Sequence, residues 1–232
     1  MTTNYQSFYH STLTYQKPAT WQDYLKYRDD SEPKETHYQL FFYLDQLIVN
    51  DVGREGINHA MVCNSMTVIL ALWCMQSSRQ EFTSFGHCLI EKPEVAATAP
   101  DMVAYIGVEI PVSSEEEKYI NLNRWRVPDL VVEVSDITLM IDLGDKKQLY
   151  AALKIPEYWV INVQTKQVLM FILHEDGNYL ESDISQALIG LQADLLNQTL
   201  EQLSQRGTGQ ASRWFYQQIQ KNIPQNTSEE IS

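Results

Sequence analysis

The stretch Pro128–Asn162, PDLVVEVSDITLMIDLGDKKQLYAALKIPEYWVIN, constrains this chain more than any other. Leu130–Val134 is a β-branched run suited to a strand buried on both faces. Asp142 offers a helix cap, and Gly144 lies just inside the helix that follows. Pro156 ends that helix, because the residue before a proline avoids the α region. Glu157–Asn162 then reads as a second apolar strand. Within the first strand stands Glu133. A carboxylate there is costly unless it is paired, protonated or bound to a metal.

Two strands open with Pro-Asp, at Pro100–Asp101 and Pro128–Asp129. The side-chain period of a strand is two, so Asp129, Val131 and Glu133 share one face, opposite Leu130, Val132 and Val134. A neighbouring strand can bring Asp101 to that face. Clustered carboxylates repel unless a hard cation lies between them, and Mg²⁺ suits such a set. On a helical wheel Lys146 falls inward with Leu149, Tyr150 and Leu153, while Lys147 lies at the edge. Three plainer readings stay open on the residues alone. Lys146 and Lys147 can form a solvated face. Asp101 and Asp129 can be turn residues. Glu133 and Lys146 can be a structural ion pair.

The remaining pattern is helix, strand, strand, strand, helix, strand, which predicts an α/β fold with a mixed sheet and a long helix on each face. Residues 1–17 read as a loose arm, and Thr20 caps a short helix, Trp21–Tyr27. Tyr38–Asn50 reads as a hairpin turning near Leu44–Gln46. A helix apolar nearly all round runs from Asn58 or His59 to Gln76. Strands are expected at Ser84–Glu91, Pro100–Gly107, Lys166–His174 and Tyr179–Ser182. Lys92–Ala99 and residues 109–127 read as connections. Leu191–Leu203 and Ala211–Lys221 read as helices broken at Gly207–Gly209. One domain over residues 18–222 is expected, with its core at about 57–175, C-terminal helices at about 191–222 and a disordered tail at 223–232.

Charge and cysteines narrow the function classes. Seventeen Lys and Arg against 30 Asp and Glu give a net charge of −13, which argues against a broadly basic nucleic-acid surface but not against a local groove. Cys63, Cys74 and Cys88 have no zinc spacing and read as small buried hydrophobes in a reducing compartment. The first residues are polar and aromatic, unlike a secretory signal, and the apolar run Met66–Met75 is too short for a bilayer. A cytoplasmic protein without a membrane partner is the expectation.

The order PD…PDLVVEV…DLGDKKQLYAALKIPEYWVIN resembles the Uma-two family of bacterial restriction-endonuclease-like proteins, within the PD-(D/E)xK nuclease superfamily. The resemblance is strongest over residues 100–162. It implies a restriction-endonuclease-like core with an N-terminal hairpin and C-terminal helices, and a Mg²⁺ (or Mn²⁺) dependent cleavage of DNA. Carried over, Asp101 and Glu133 hold the metal, with the Val134 carbonyl as a third ligand, and Lys146 completes the site. Ser135 stands where the superfamily has its usual lysine. The family's hairpin Glu is Gln39 here, and His59 matches a His that the family often has at the start of the long helix. Glu91, Asp129 and Lys147 are the reserve candidates.

Two functions follow. The first is a Mg²⁺-dependent endonuclease, with Lys118, Arg124 and Arg126 around Trp125 as the grip on a DNA backbone. The second is a nuclease-like scaffold that binds a partner without cleaving. The hairpin and the aromatic arm (Tyr5, Phe8, Tyr9) carry apolar surface that predicts a homodimer.

Overall fold

The computed structural model describes residues 14–29, 38–51, 56–78, 81–113 and 118–222. Its elements in chain order are β1 (Thr14–Pro18), α1 (Trp21–Asp29), β2 (Tyr38–Tyr43), β3 (Gln46–Asp51) and α2 (Ile57–Trp73), the last extended by a π-helical turn, Cys74–Ser78. Next come β4 (Phe82–Gly86), β5 (Ile90–Lys92), β6 (Ala96–Thr98), β7 (Met102–Ile106), β8 (Ile120–Asn121) and β9 (Leu130–Ser135). The crossover consists of α3 (Leu139–Ile141), a π-helical turn Asp142–Lys146, and α4 (Lys147–Ala152). Strands β10 (Glu157–Asn162), β11 (Gln167–Leu173) and β12 (Tyr179–Ser182) precede the long α5 (Ala193–Asn222).

The strands form two mixed sheets rather than one. The first has the order β1-β3-β2-β6-β5-β8 and the second β12-β11-β10-β9-β7-β4. The extra sheet is built from segments too short to stand out in the sequence. β6 lies inside the expected loop Lys92–Ala99, β8 lies inside the polar connection, and β1 comes from the end of the expected loose arm. Each of them is stabilised by its pairing partner rather than by its own propensity.

Local chemistry explains several boundaries. Thr20 and Asp23 cap α1 reciprocally: the Thr20 backbone N–H and hydroxyl donate to Asp23 Oδ2 at 2.9 and 2.7 Å, and the Asp23 N–H donates to Thr20 Oγ1 at 3.2 Å. The β2–β3 hairpin closes through Leu44 and Asp45, both at positive φ (50° and 53°), the geometry of a two-residue turn that matches strand twist.

The second sheet holds the crossover. β9 and β10 run parallel, with Glu133 opposite Val160, and β9 pairs antiparallel with β7, with Met102 opposite Val132. Its two faces bury different sets, as the alternation in β9 requires. Leu130, Val132 and Val134 pack with α2 and α5 through Met66, Leu70, Leu200 and Phe215. Val131 packs on the other side with Leu149, Tyr150, and residues of the first sheet such as Phe41 and Ile90. Glu133 therefore points into the space between the two sheets, where α4 lies. On the far side of the first sheet, Trp21 and Tyr24 of α1 cover Phe42 and Leu47.

Ile57–Gln76 is long and apolar enough to cross a bilayer by length and composition. That differs from the shorter run read in the sequence, because the helix extends toward its N-terminus through Ile57 and Met61. In the fold it is a core helix, packed against β9 and α5.

Candidate active site

The crossover loop after β9 carries Lys146 back over the strand it left. The π-helical turn packs five residues where an α-helix would have fewer per turn, and Asp142 and Lys146, four apart, both face inward. Lys146 Nζ lies 3.0 Å from Glu133 Oε2 and 3.1 Å from Asp142 Oδ1. All three side chains are closed to solvent, at 2%, 1% and 1% exposure for Lys146, Glu133 and Asp142. Tyr150, one turn further along, donates its hydroxyl to Glu133 Oε1 at 2.5 Å. Thr138 donates to Asp142 Oδ2 at 2.6 Å, and the Tyr158 hydroxyl donates to the Asp142 carbonyl at 2.9 Å.

Asp101 adjoins this cluster. It precedes Met102, so the antiparallel register puts it beside Glu133. Its Oδ2 accepts the Val134 N–H at 2.7 Å and lies 3.3 Å from His59 Nε2. His87 Nδ1 is 3.6 Å from its other oxygen, Oδ1, which accepts no hydrogen bond among the described residues although it is buried. His59 comes from the first turn of α2, with Cys63 one turn on, Sγ 3.7 Å from His59 Nδ1.

The titration behaviour follows from this crowding. Burial pushes the Glu133 carboxyl up, the Lys146 charge pulls it back, and the carboxylates of Asp101 and Asp142 push it up again, to about 8. Lys146 stays charged: burial works against its proton, but the charges of Glu133, Asp142 and Asp101 more than offset that. Asp101 goes the other way. Burial raises its pKa, yet the His59 hydrogen bond, the Lys146 charge and the Val134 N–H together hold it below the usual carboxylate range. For His59 burial favours the neutral ring, but Asp101 and Cys63 outweigh it and raise the pKa to about 11. Neighbouring carboxylates with opposite shifts can divide acid and base roles between them.

The Uma2 family profile, described as "Putative restriction endonuclease", matches residues 21–206 of the chain. The chain belongs to the Uma2 family. A crystal structure of a "putative nuclease belonging to DUF820" from Anabaena variabilis shares the fold, with a TM-score of 0.52 at 16% identity over 79% of this chain and 99% of that one. A search among curated proteins found no match.

The other candidate residues of this Uma2 protein lie apart from the cluster. Asp129 is at the opposite end of β9, accepting the Ile106 N–H at 2.6 Å and pairing with Arg126 at 2.9 Å. Glu91 is buried in the first sheet, where Tyr24 and Arg28 donate to it at 2.5 and 2.7 Å. Lys147 leaves the cluster and sets its ammonium 3.6 Å from the centre of the Phe171 ring. Gln39 pairs with Asn50 in the β2–β3 hairpin of the first sheet, and its side chain lies outside the described residues. Lys118 and Arg124 are exposed. Arg126 is tied down, donating to the carbonyls of Glu109 and Ile106 at 3.0 Å each.

Sequence reasoning missed two participants. Asp142 reads as a cap, yet its carboxylate is the second acid on Lys146. The i,i+4 spacing of Asp142 and Lys146 was the available signal, and it identifies an intrahelical pair only once both are known to face inward. Tyr150 reads as a core aromatic, and only its buried hydroxyl on Glu133 sets it apart. The Pro-Glu-Tyr-Trp segment has a structural job. Glu157 accepts the Trp159 indole N–H at 2.6 Å and the Gln186 and Ala187 N–H groups at 2.9 and 2.8 Å, tying β10 to the turn before α5.

Proposed function

We propose that the chain is a metal-dependent endonuclease that hydrolyses DNA phosphodiester bonds. The observation that carries this reading is the meeting of Asp101, Glu133 and Lys146 across two adjacent strands and the crossover helix. The donors fit a hard cation: two buried carboxylates side by side in register, one with an oxygen that accepts no hydrogen bond among the described residues. Asp101 and Glu133, with the Val134 carbonyl, would hold Mg²⁺ or Mn²⁺. When bound, the ion activates water and neutralises charge on the phosphate. Lys146 keeps its proton beside Glu133 and offers a positive charge to the developing oxyanion. His59 orients Asp101 through the contact at 3.3 Å, and Tyr150 fixes the Glu133 rotamer through the bond at 2.5 Å. Lys118 and Arg124 are the exposed cations for a nucleic-acid backbone, and Arg126 would serve by holding the 106–129 corner.

The same reading has the protein act as one domain in the cytoplasm, away from membranes. Support comes from three cysteines outside any disulfide and from a core position for the most apolar helix. A homodimer draws no support from the hairpin, whose Phe41, Phe42, Leu47, Ile48 and Val49 are buried within the chain, and the arm residues Tyr5, Phe8 and Tyr9 that also suggested it lie outside the described residues.

One observation favours the second reading, a scaffold without cleavage. Lys146 is already paired with two carboxylates in a closed cluster, as in a structural ion network. The deciding experiment is a nuclease assay with Mg²⁺ or Mn²⁺ on linear, supercoiled and single-stranded DNA, with Glu133→Gln as control. Cation-dependent cleavage that the variant lacks supports the endonuclease. No cleavage, together with a melting curve that neither cation shifts, supports the scaffold.

A further inference from the structure

We propose that His59, Cys63 and Asp101 form a second cation site, selective for a borderline transition ion of the Zn²⁺ or Co²⁺ type. The site goes beyond the endonuclease reading, which uses neither His59 nor Cys63 as a ligand, and it stands whether or not the chain cleaves DNA. Three different donors converge: an imidazole, a thiol and a carboxylate, their ligand atoms all within 4.8 Å of one another.

The fold explains the convergence. His59 and Cys63 are four apart on α2, so they share one face of the helix. Met102 at the start of β7 shares a core cluster with Val62 and Met66 of α2, and Asp101, which leads into β7, meets His59 there. Around a tetrahedral Zn²⁺, with Zn–N at about 2.0–2.1 Å and Zn–S at about 2.3 Å, neighbouring ligand atoms are roughly 3.5 Å apart. Here His59 Nε2 lies 3.3 Å from Asp101 Oδ2 and 4.0 Å from Cys63 Sγ, so a small rotation of the thiol completes the edge. The Val134 N–H on Asp101 Oδ2, at 2.7 Å, is the kind of backbone donor that orients a ligating carboxylate.

Donor chemistry decides the metal. A thiolate and an imidazole favour Zn²⁺ or Co²⁺ over Mg²⁺, which prefers an all-oxygen shell. Three protein ligands leave a fourth position for water, and Cys63 is half-buried, giving that position a route to solvent. Binding releases the Cys63 proton and any proton on the ligating His59 nitrogen, so it weakens in acid. Asp101 is common to this site and the oxygen site with Glu133, and ions at the two would share it.

The test uses metal-free full-length protein titrated with Co²⁺. The expected result is a thiolate-to-cobalt charge-transfer band in the near ultraviolet, lost when Zn²⁺ is added and lost in Cys63→Ser. Independently, Zn²⁺ but not Mg²⁺ should protect Cys63 of the wild-type protein from alkylation, read by peptide mass, a measurement that needs no variant to fold. A cobalt spectrum without the thiolate band, a band that survives Cys63→Ser, or alkylation of Cys63 unchanged by Zn²⁺ would each overturn the site. A thiolate band without DNA cleavage removes the endonuclease and keeps this site; Mg²⁺-dependent cleavage without the band does the reverse.

Discussion

At the scale of single residues, Lys146 is the pivot, because it faces both Glu133 and Asp142 with no solvent to share the charge. Replacing it with methionine leaves Glu133 and Asp142 without their buried ammonium partner. Lys146→Met should therefore cost about 3–5 kcal/mol near neutral pH, measured by urea denaturation. The pH dependence has a definite sign. Glu133 has a folded-state pKa of about 8 against an ordinary 4.5, so between those values the folded chain holds a proton that the unfolded chain has lost. That contribution is fully present below pH 4.5 and is lost as pH rises toward 8. His59, raised from 6.5 to about 11, adds the same sign from pH 6.5 upward. Unfolding free energy in EDTA should fall from pH 5 to pH 8, to be followed by urea titration at half-unit steps. Saturating divalent cation should flatten that slope, because a cation beside Glu133 takes over from the proton. A flat profile in EDTA would refute the raised carboxyl.

At the scale of elements, two predictions concern how the site is supported. Glu157 receives three donors, and removing it leaves the Trp159 indole and two backbone N–H groups without a partner. Glu157→Ala should cost about 3 kcal/mol or more, with the denaturant midpoint as readout. α5 reads in the sequence as two helices with a glycine break. The structure agrees in substance: the two run on, but Gly207 sits at φ 73°, ψ 174°, a conformation essentially reserved for glycine. A Cβ there would meet nothing within 4 Å, so the penalty of Gly207→Ala is purely a backbone one, about 1–3 kcal/mol by thermal or chemical melt. A negligible effect would mean that the kink relaxes into continuous helix.

At the scale of the whole molecule, the net charge of −13 works against DNA. If the exposed cations Lys118 and Arg124 form the grip, Lys118→Ala with Arg124→Ala should weaken DNA binding and flatten its salt dependence by about one to two phosphate contacts, read from log K against log salt. A homodimer, expected from the hairpin, should show twice the 26.9 kDa chain mass in light scattering at micromolar protein, and a monomer mass rejects it. Phe41 and Phe42 of the hairpin are covered by the chain itself. Apolar surface on one element does not reveal whether its partner lies in the same chain.

The sequence by itself determined the crossover and the inward face of β9, since both follow from local periodicity over a contiguous segment. It put Lys146 on the inner side of the helix wheel but left a solvated face open, and the tertiary structure closed that choice by burying the ammonium between Glu133 and Asp142. The sequence also determined the family, because the PD…PDLVVEV…DLGDKKQLYAALKIPEYWVIN order is dense with residues that each perform a definite task. Tertiary structure alone decided the second sheet, whose short strands β6 and β8 exist through pairing with distant residues. It alone decided that Asp129 and Glu91 have other partners than the Glu133 cluster, and that Asp142 joins it. The reason is physical: a carboxylate's role depends on which charges and donors lie within a few ångströms, and His59, Asp101, Glu133 and Lys146 come together only through strand register and helix placement, which no local pattern encodes.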